Sequence, residues 1–196
     1  MTPSPLLVTA SQIALAFCTA ALSIAFAPTV HAADSTPKVG QIERGRYLVN
    51  TSGCMDCHTP LKPGPNGPAP DMSRLLSGHP QALKMPPAPV LPAGPWLVTV
   101  AATNTAWSGP WGVSFTANLT PDVETGLGAW TVDDFKATIR GGRHMGRGRP
   151  VLPPMPIAVY DNFSDDDLEA VFSYLRTIPA IKNRVPEPLP PQVAAN

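Results

Sequence analysis

Three stretches of this chain repeat apolar residues at helical spacing. Over Val39 to Ser52, Ile42, Tyr47, Leu48 and Val49 can share one side while Glu43, Arg44 and Arg46 point outward, which predicts an amphipathic helix. Gly45 sits inside it at a cost of about 1 kcal/mol relative to alanine, and close approach of another helix would explain its presence. Gly53 ends the element. Thr131 opens a second helix by capping its first turn, with Asp133 and Asp134 near the positive end. Val132, Phe135 and Ile139 form its buried face, and Gly141-Gly142 stop it. Ser164 caps a third, with Asp165, Asp166 and Asp167 in the first turn and Leu168, Val171, Phe172 and Leu175 on one face, ending near Pro179.

Between these helices the period is lost. From Thr59 to Phe115 proline and glycine recur, predicting a long irregular stretch with a turn of helix at Ser73 to Ser77 and a short strand at Leu97 to Ala101. Trp96, Trp107 and Trp111 argue that it packs, since large aromatics are costly to leave in water. Gly-Pro-Trp occurs at Gly94 and again at Gly109, which reads as turn chemistry. Thr116 to Gly128 is polar and turn-rich. Arg140, Arg143, Arg147 and Arg149 surround His144 and Met145, and Pro150 to Pro156 reads as extended backbone with few donors. Asn183 to Asn196 reads as a proline-rich tail.

Composition adds limits. A chain of 196 residues predicts one domain. Fourteen basic residues balance fourteen acidic ones, so nothing pulls the chain toward nucleic acid. The first 32 residues read as an export signal. Leu6 to Val30 carries no charge, Ile13 to Ala27 is its most apolar part, and Val30-His31-Ala32 fits a cleavage site. No Lys or Arg precedes Lys38, and an uncleaved membrane anchor is the alternative. Cys18 lies inside this segment, so cleavage leaves only Cys54 and Cys57.

These two cysteines carry the chemistry. Cys54-Met55-Asp56-Cys57-His58 is a C-x-x-C-H sequence. Cysteines three positions apart suit thioethers to the two vinyl groups of a porphyrin, and the adjacent His58 then lies where its imidazole can bind iron. A dithiol redox pair and half of a zinc site are the competing readings. The first is expected near a βαβ pattern, and none is visible. The second needs further ligands at close spacing, and the next histidine is His79.

Taken in order, Gly45-Arg46-Tyr47-Leu48, the haem motif with Thr59-Pro60, Asn118-Leu119-Thr120-Pro121-Asp122, Glu124-Thr125-Gly126-Leu127-Gly128, Trp130 to Phe135, Leu152-Pro153-Pro154-Met155-Pro156 and Asp165-Asp166-Asp167-Leu168 through Tyr174-Leu175 resemble a class I monohaem cytochrome c. The match is nearest to the cytochrome domains of dehydrogenase-associated cytochrome subunits, and it covers Val39 to Pro179. The stretch from about Met72 to Ser114 is longer and richer in proline than that family requires.

The resemblance implies a mainly α cytochrome c domain over 33–182. About three main helices would surround one covalent haem c, with 59–115 as a proline-rich loop insertion and the first and last helices crossing near the haem. It implies His58 below the iron and a methionine above. Met155, stiffened by Pro153, Pro154 and Pro156, is the expected ligand, ahead of Met145, His79 and His144. Met145 reads as a loop surface residue, the two histidines as solvent-facing or hydrogen-bonded, and Met72 and Met85 as packing.

Asn118 is a candidate for orienting a haem-facing loop, the four arginines for pairing with haem propionates, and Trp111 and Tyr47 for walling the haem. The implied function is one-electron transfer in the periplasm by a protein that is not itself an enzyme. Its partners would be a dehydrogenase, another cytochrome or an oxidase. A haem enzyme or a gas or peroxide sensor with an open sixth iron position is the alternative.

Overall fold

A computed structural model describes residues 39–191; the segment 1–32 read as an export signal and residues 192–196 lie outside the described residues. The three helices form where the apolar periodicity places them: α1 at Val39–Thr51, α3 at Val132–Gly141 and α5 at Asp165–Leu175. A single turn, α2, spans Cys54–His58, and another, α4, spans Ile157–Tyr160. Helices α1 and α5 pack face to face. Leu48 and Val49 of the first meet Val171, Phe172 and Leu175 of the second, and Leu76, Leu127 and Ile178 complete the core. Gly45 is buried at this crossing, where a β-carbon would overlap the carbonyl oxygen of Ala170. At the helix ends, Arg44 Nε donates to Asp167 at 2.8 Å.

The caps also form. Asp134 N donates to the Thr131 hydroxyl at 3.1 Å, and the Asp134 carboxylate accepts from Thr131 N at 3.1 Å, a reciprocal box built with aspartate. Thr131→Ala removes one half of the box and leaves a first-turn donor unpaired. A loss of about 1 kcal/mol in denaturant unfolding is expected, with the m-value unchanged.

The expected mainly α architecture with a loop insertion is incorrect. The stretch 59–115 carries five strands in two antiparallel sheets. Strands β1 (Leu61–Gly64) and β2 (Gly67–Pro70) form one hairpin; β3 (Thr99–Val100), β4 (Ala106–Gly109) and β5 (Gly112–Phe115) form the other sheet in that order. Both tight hairpins are written Gly-Pro-x-Gly, at Gly64-Pro65-Asn66-Gly67 and Gly109-Pro110-Trp111-Gly112. Proline presets the first turn residue, and the closing glycine takes a positive φ, 111° and 96°. Gly94-Pro95-Trp96 lacks the second glycine and makes no hairpin. Prolines are tolerated here because ribbons this narrow have backbone edges that need no ladder donor.

Trp96 does not pack as expected: it is 78% exposed. Met72 and Met85 are exposed too. The residues read as a tail lie against the fold from Asn183 to Leu189. Asn183 is fully buried, its amide donating to Ser77 O at 2.7 Å and His79 O at 2.9 Å. Leu189 exchanges two backbone hydrogen bonds with Val113.

Candidate functional site

Helix α2 puts Cys54 and Cys57 three residues apart, on one side of a single turn. Both are free thiols, half-buried, and burial pushes both above the ordinary thiol range. A raised pKa opposes thiolate nucleophilicity, so the pair is poorly suited to dithiol exchange. Among the described residues, no cluster of three or more His, Cys, Asp or Glu is arranged to hold a metal ion.

His58 is 8% exposed, and its Nδ1 lies 2.8 Å from the carbonyl oxygen of Ala117. A carbonyl only accepts, so Nδ1 carries the proton and Nε2 is left with a free lone pair. Burial lowers the His58 pKa, with the Ala117 bond opposing it, and the neutral ring that a metal requires is favoured. The backbone is held as well: Gly78 N donates to His58 O at 2.8 Å. Gly78 has φ 75°, and a β-carbon there would overlap the carbonyl oxygen of Thr116, so only glycine lets this loop lie against the α2 turn.

These residues open into a cavity of about 1260 Å³. Its walls are largely apolar, with Leu119, Leu127, Phe135, Leu168 and Val171 among them, and Cys54, Cys57, His58 and Met155 all line it. It exceeds the ~300–1,000 Å³ of ordinary small-molecule sites, which suits a flat macrocycle. Met155 is half-buried on a loop pinned at several points. The Ser114 hydroxyl donates to Pro153 O at 2.6 Å, Ile157 N donates to Met155 O at 2.9 Å, and the Tyr160 hydroxyl donates to Ser52 O at 2.6 Å. Two sulfurs beside an imidazole with its metal-binding nitrogen free, and a thioether on the same apolar cavity, form a donor set that fits haem c.

No family model matches the chain. It is 27% identical over 161 residues to the cytochrome c subunit of alcohol dehydrogenase (quinone) from Gluconobacter oxydans, covering 80% of this chain and 26% of that protein. It is 27% identical over 142 residues to the gluconate 2-dehydrogenase cytochrome c subunit of Pantoea cypripedii, covering 72% and 24%. With the fructose dehydrogenase cytochrome subunit of Gluconobacter japonicus the identity is 26% over 153 residues, covering 75% and 24%. The chain is similar to the cytochrome c subunits of dehydrogenases. It spans about a quarter of the length of these relatives.

Of the other residues singled out in this cytochrome-like chain, some reach the cavity and some do not. Asn118 does. It is buried, its amide donates to Ile181 O at 2.8 Å, and its Oδ1 accepts from Thr120 N at 3.0 Å, so it fixes the loop beside Ala117. His144 also lines the cavity, edge-on to Trp130 with centroids 4.8 Å apart. His79 lies elsewhere, fully buried, its ring nitrogens bonded to Thr105 Oγ1 and Leu83 O. Met145, Trp111 and Tyr47 are not part of the cavity wall, and Tyr47 is 57% exposed beneath Arg44.

Among the four arginines only Arg149 lines the cavity. Arg140 is committed to the carbonyls of Asp161 and Phe163 and to the Asp161 and Asp165 carboxylates, and Arg147 pairs with Asp134. Sequence reasoning missed Gly78, Asn183 and the wall formed by residues 182–188. Gly78 had a local signal in Ser77-Gly78, a turn dipeptide just before His79.

Proposed function

We propose that this chain is an electron-transfer protein holding one haem c, with Cys54 and Cys57 as the residues that would attach it and His58 and Met155 as the residues that would hold its iron. The observation that carries this reading is that all four side chains line one apolar cavity. The single C-x-x-C-H sequence supports one haem per chain. The cofactor supplies a reversible one-electron couple at iron, and a His/Met donor pair raises its potential.

The protein's part is to bind, orient and exclude water. The Ala117 carbonyl holds the His58 ring in the tautomer that presents Nε2. The Ser114 bond to Pro153 O fixes the loop that carries Met155. The walls from α1 and α5, including Leu48 and Val171, keep the site dry. If His58 and Met155 both held the iron, no position on it would be left for a substrate, and catalysis would belong to a partner. The similarity to dehydrogenase subunits supports a dehydrogenase as that partner. The uncharged N-terminal run supports export to the periplasm. Among the described residues no helix is long and apolar enough to cross a membrane.

The test is expression of the full chain with haem-attachment machinery, followed by acid-acetone extraction and a pyridine haemochrome spectrum. Haem should stay with the polypeptide in a one-to-one ratio, and the Cys54→Ala, Cys57→Ala double variant should release it. A colourless product with two titratable thiols would overturn the reading.

A further inference from the structure

Four cations line the cavity: Lys84, Arg149, Lys182 and Arg184. Two are already neutralised, since Arg149 lies 3.4 Å from Glu187 and Lys182 lies 2.8 Å from Glu124. Lys84 and Arg184 have no carboxylate within ion-pair distance among the described residues.

They come from segments about a hundred residues apart that are stitched together. Gln81 N donates to Asn183 Oδ1 at 2.9 Å, and Arg184 N donates to Gln81 Oε1 at 2.8 Å. Asn183 itself is fully buried, and its amide is spent on Ser77 O and His79 O. Beyond Arg184, Val185, Pro186 and Pro188 line the cavity, and the segment is fastened again where Leu189 pairs with Val113. Residues 183–189 are therefore a strap tied at both ends across the cavity wall, and it delivers one uncompensated guanidinium to that wall.

Both side chains are exposed at the cavity wall, where no carboxylate of the described residues neutralises them, so they are free to pair with a ligand whose anionic end reaches solvent. Resting on the haem reading above, we propose that Arg184, with Lys84 from the adjoining loop, is the clamp for the haem's carboxylates, and that the strap 183–189 serves to hold it in place. Arg184 supplies the planar fork that matches a carboxylate, and Lys84 supplies a point charge. Sequence alone pointed to the arginines at 140–149 for this task, but three of those four lie off the cavity wall.

Positive charge near the carboxylates favours the less positive, reduced state of the iron. Removing it favours the oxidised state. Arg184→Gln, Lys84→Gln and the double variant are compared with wild type in mediated redox titrations, alongside Arg184→Lys. Arg46→Gln is the control for an equal charge change, because Arg46 pairs with Glu43 and is not part of the cavity wall.

With haem still attached, each removal should lower the ratio of reduced to oxidised protein at a fixed ambient potential by about three- to tenfold, less at high salt. Arg184→Lys should recover part of the loss, and Arg46→Gln should match wild type. Titrations of Arg184→Gln and the double variant that superimpose on wild type, with haem fully attached, overturn the clamp and leave the haem reading standing. Wild type that carries no covalent haem removes both.

Discussion

Met155→Ala should yield a protein that keeps the proposed covalent haem and lacks the far-red absorption band that methionine ligation gives ferric iron. The reduced variant should bind carbon monoxide at neutral pH, which the proposed His/Met ligation would prevent in wild type, and its midpoint potential should fall by on the order of 0.1 V. Attachment survives because Cys54, Cys57 and His58 sit on α2, far along the chain from Met155 and held by their own contacts with Gly78 and Ala117. Ligation is lost because alanine brings no sulfur, and the loop around position 155 is too well pinned, through Pro153 O and Met155 O, to bring another donor in its place.

The experiment also decides between electron carrier and haem enzyme or sensor, since wild type that binds carbon monoxide has an open sixth position. Persistence of the far-red band in the variant would move the assignment elsewhere. Met145 is a weak substitute, since it lies outside the cavity wall and its backbone N is tied to Thr138 Oγ1. His144 does line the cavity. Ligation by it would give a bis-histidine spectrum without the sulfur band, so the two substitutes are distinguishable.

The parts of this fold that were legible in the sequence are those whose causes lie close together along the chain. The attachment motif is five contiguous residues, and the caps at Thr131 and Ser164 act on donors three residues away. The prolines beside Met155 marked the loop that the structure places on the cavity wall. Of the five strands only β3 was legible, inside the short strand expected at Leu97 to Ala101. Each is four residues or fewer, too short for alternation to show, and β1 and β2 also carry proline. The readable sign was the closing glycine of Gly-Pro-x-Gly, which separates the hairpins at 64 and 109 from the superficially similar Gly94-Pro95-Trp96.

Asn183 was unreadable for a different reason. A polar residue in a proline-rich stretch looks like a tail until its partners at Ser77, His79 and Gln81 are brought to it by the rest of the fold. Tyr47 failed in the other direction. It fits the helical stripe by spacing, yet it sits at the rim of the α1–α5 contact and is 57% exposed.

Gly45→Ala lowers stability, while Gly40→Ala in the same helix raises it or leaves it unchanged. Helix propensity alone favours alanine by about 1 kcal/mol at an interior position, so the sign at Gly45 separates a tolerated glycine from a required one. A β-carbon at Gly40 meets nothing within 4 Å. At Gly45 it would overlap the backbone carbonyl of Ala170 and lie 2.9 Å from Tyr174 Cβ. A carbonyl in the middle of α5 cannot rotate aside, so the two helices must separate. Separation loosens Leu48 and Val49 from Val171 and Leu175, and overpacking of this kind costs about 1–3 kcal/mol net.

Denaturant unfolding of the haem-loaded protein measures both variants. Because Leu48, Val49, Val171 and Leu175 also wall the cavity, Gly45→Leu should go further, with little haem-loaded protein accumulating. If Gly45→Ala were as stable as wild type or more so, the helix crossing would not depend on glycine, and this contact would no longer account for how α1 and α5 close the cavity that Met155 and His58 share.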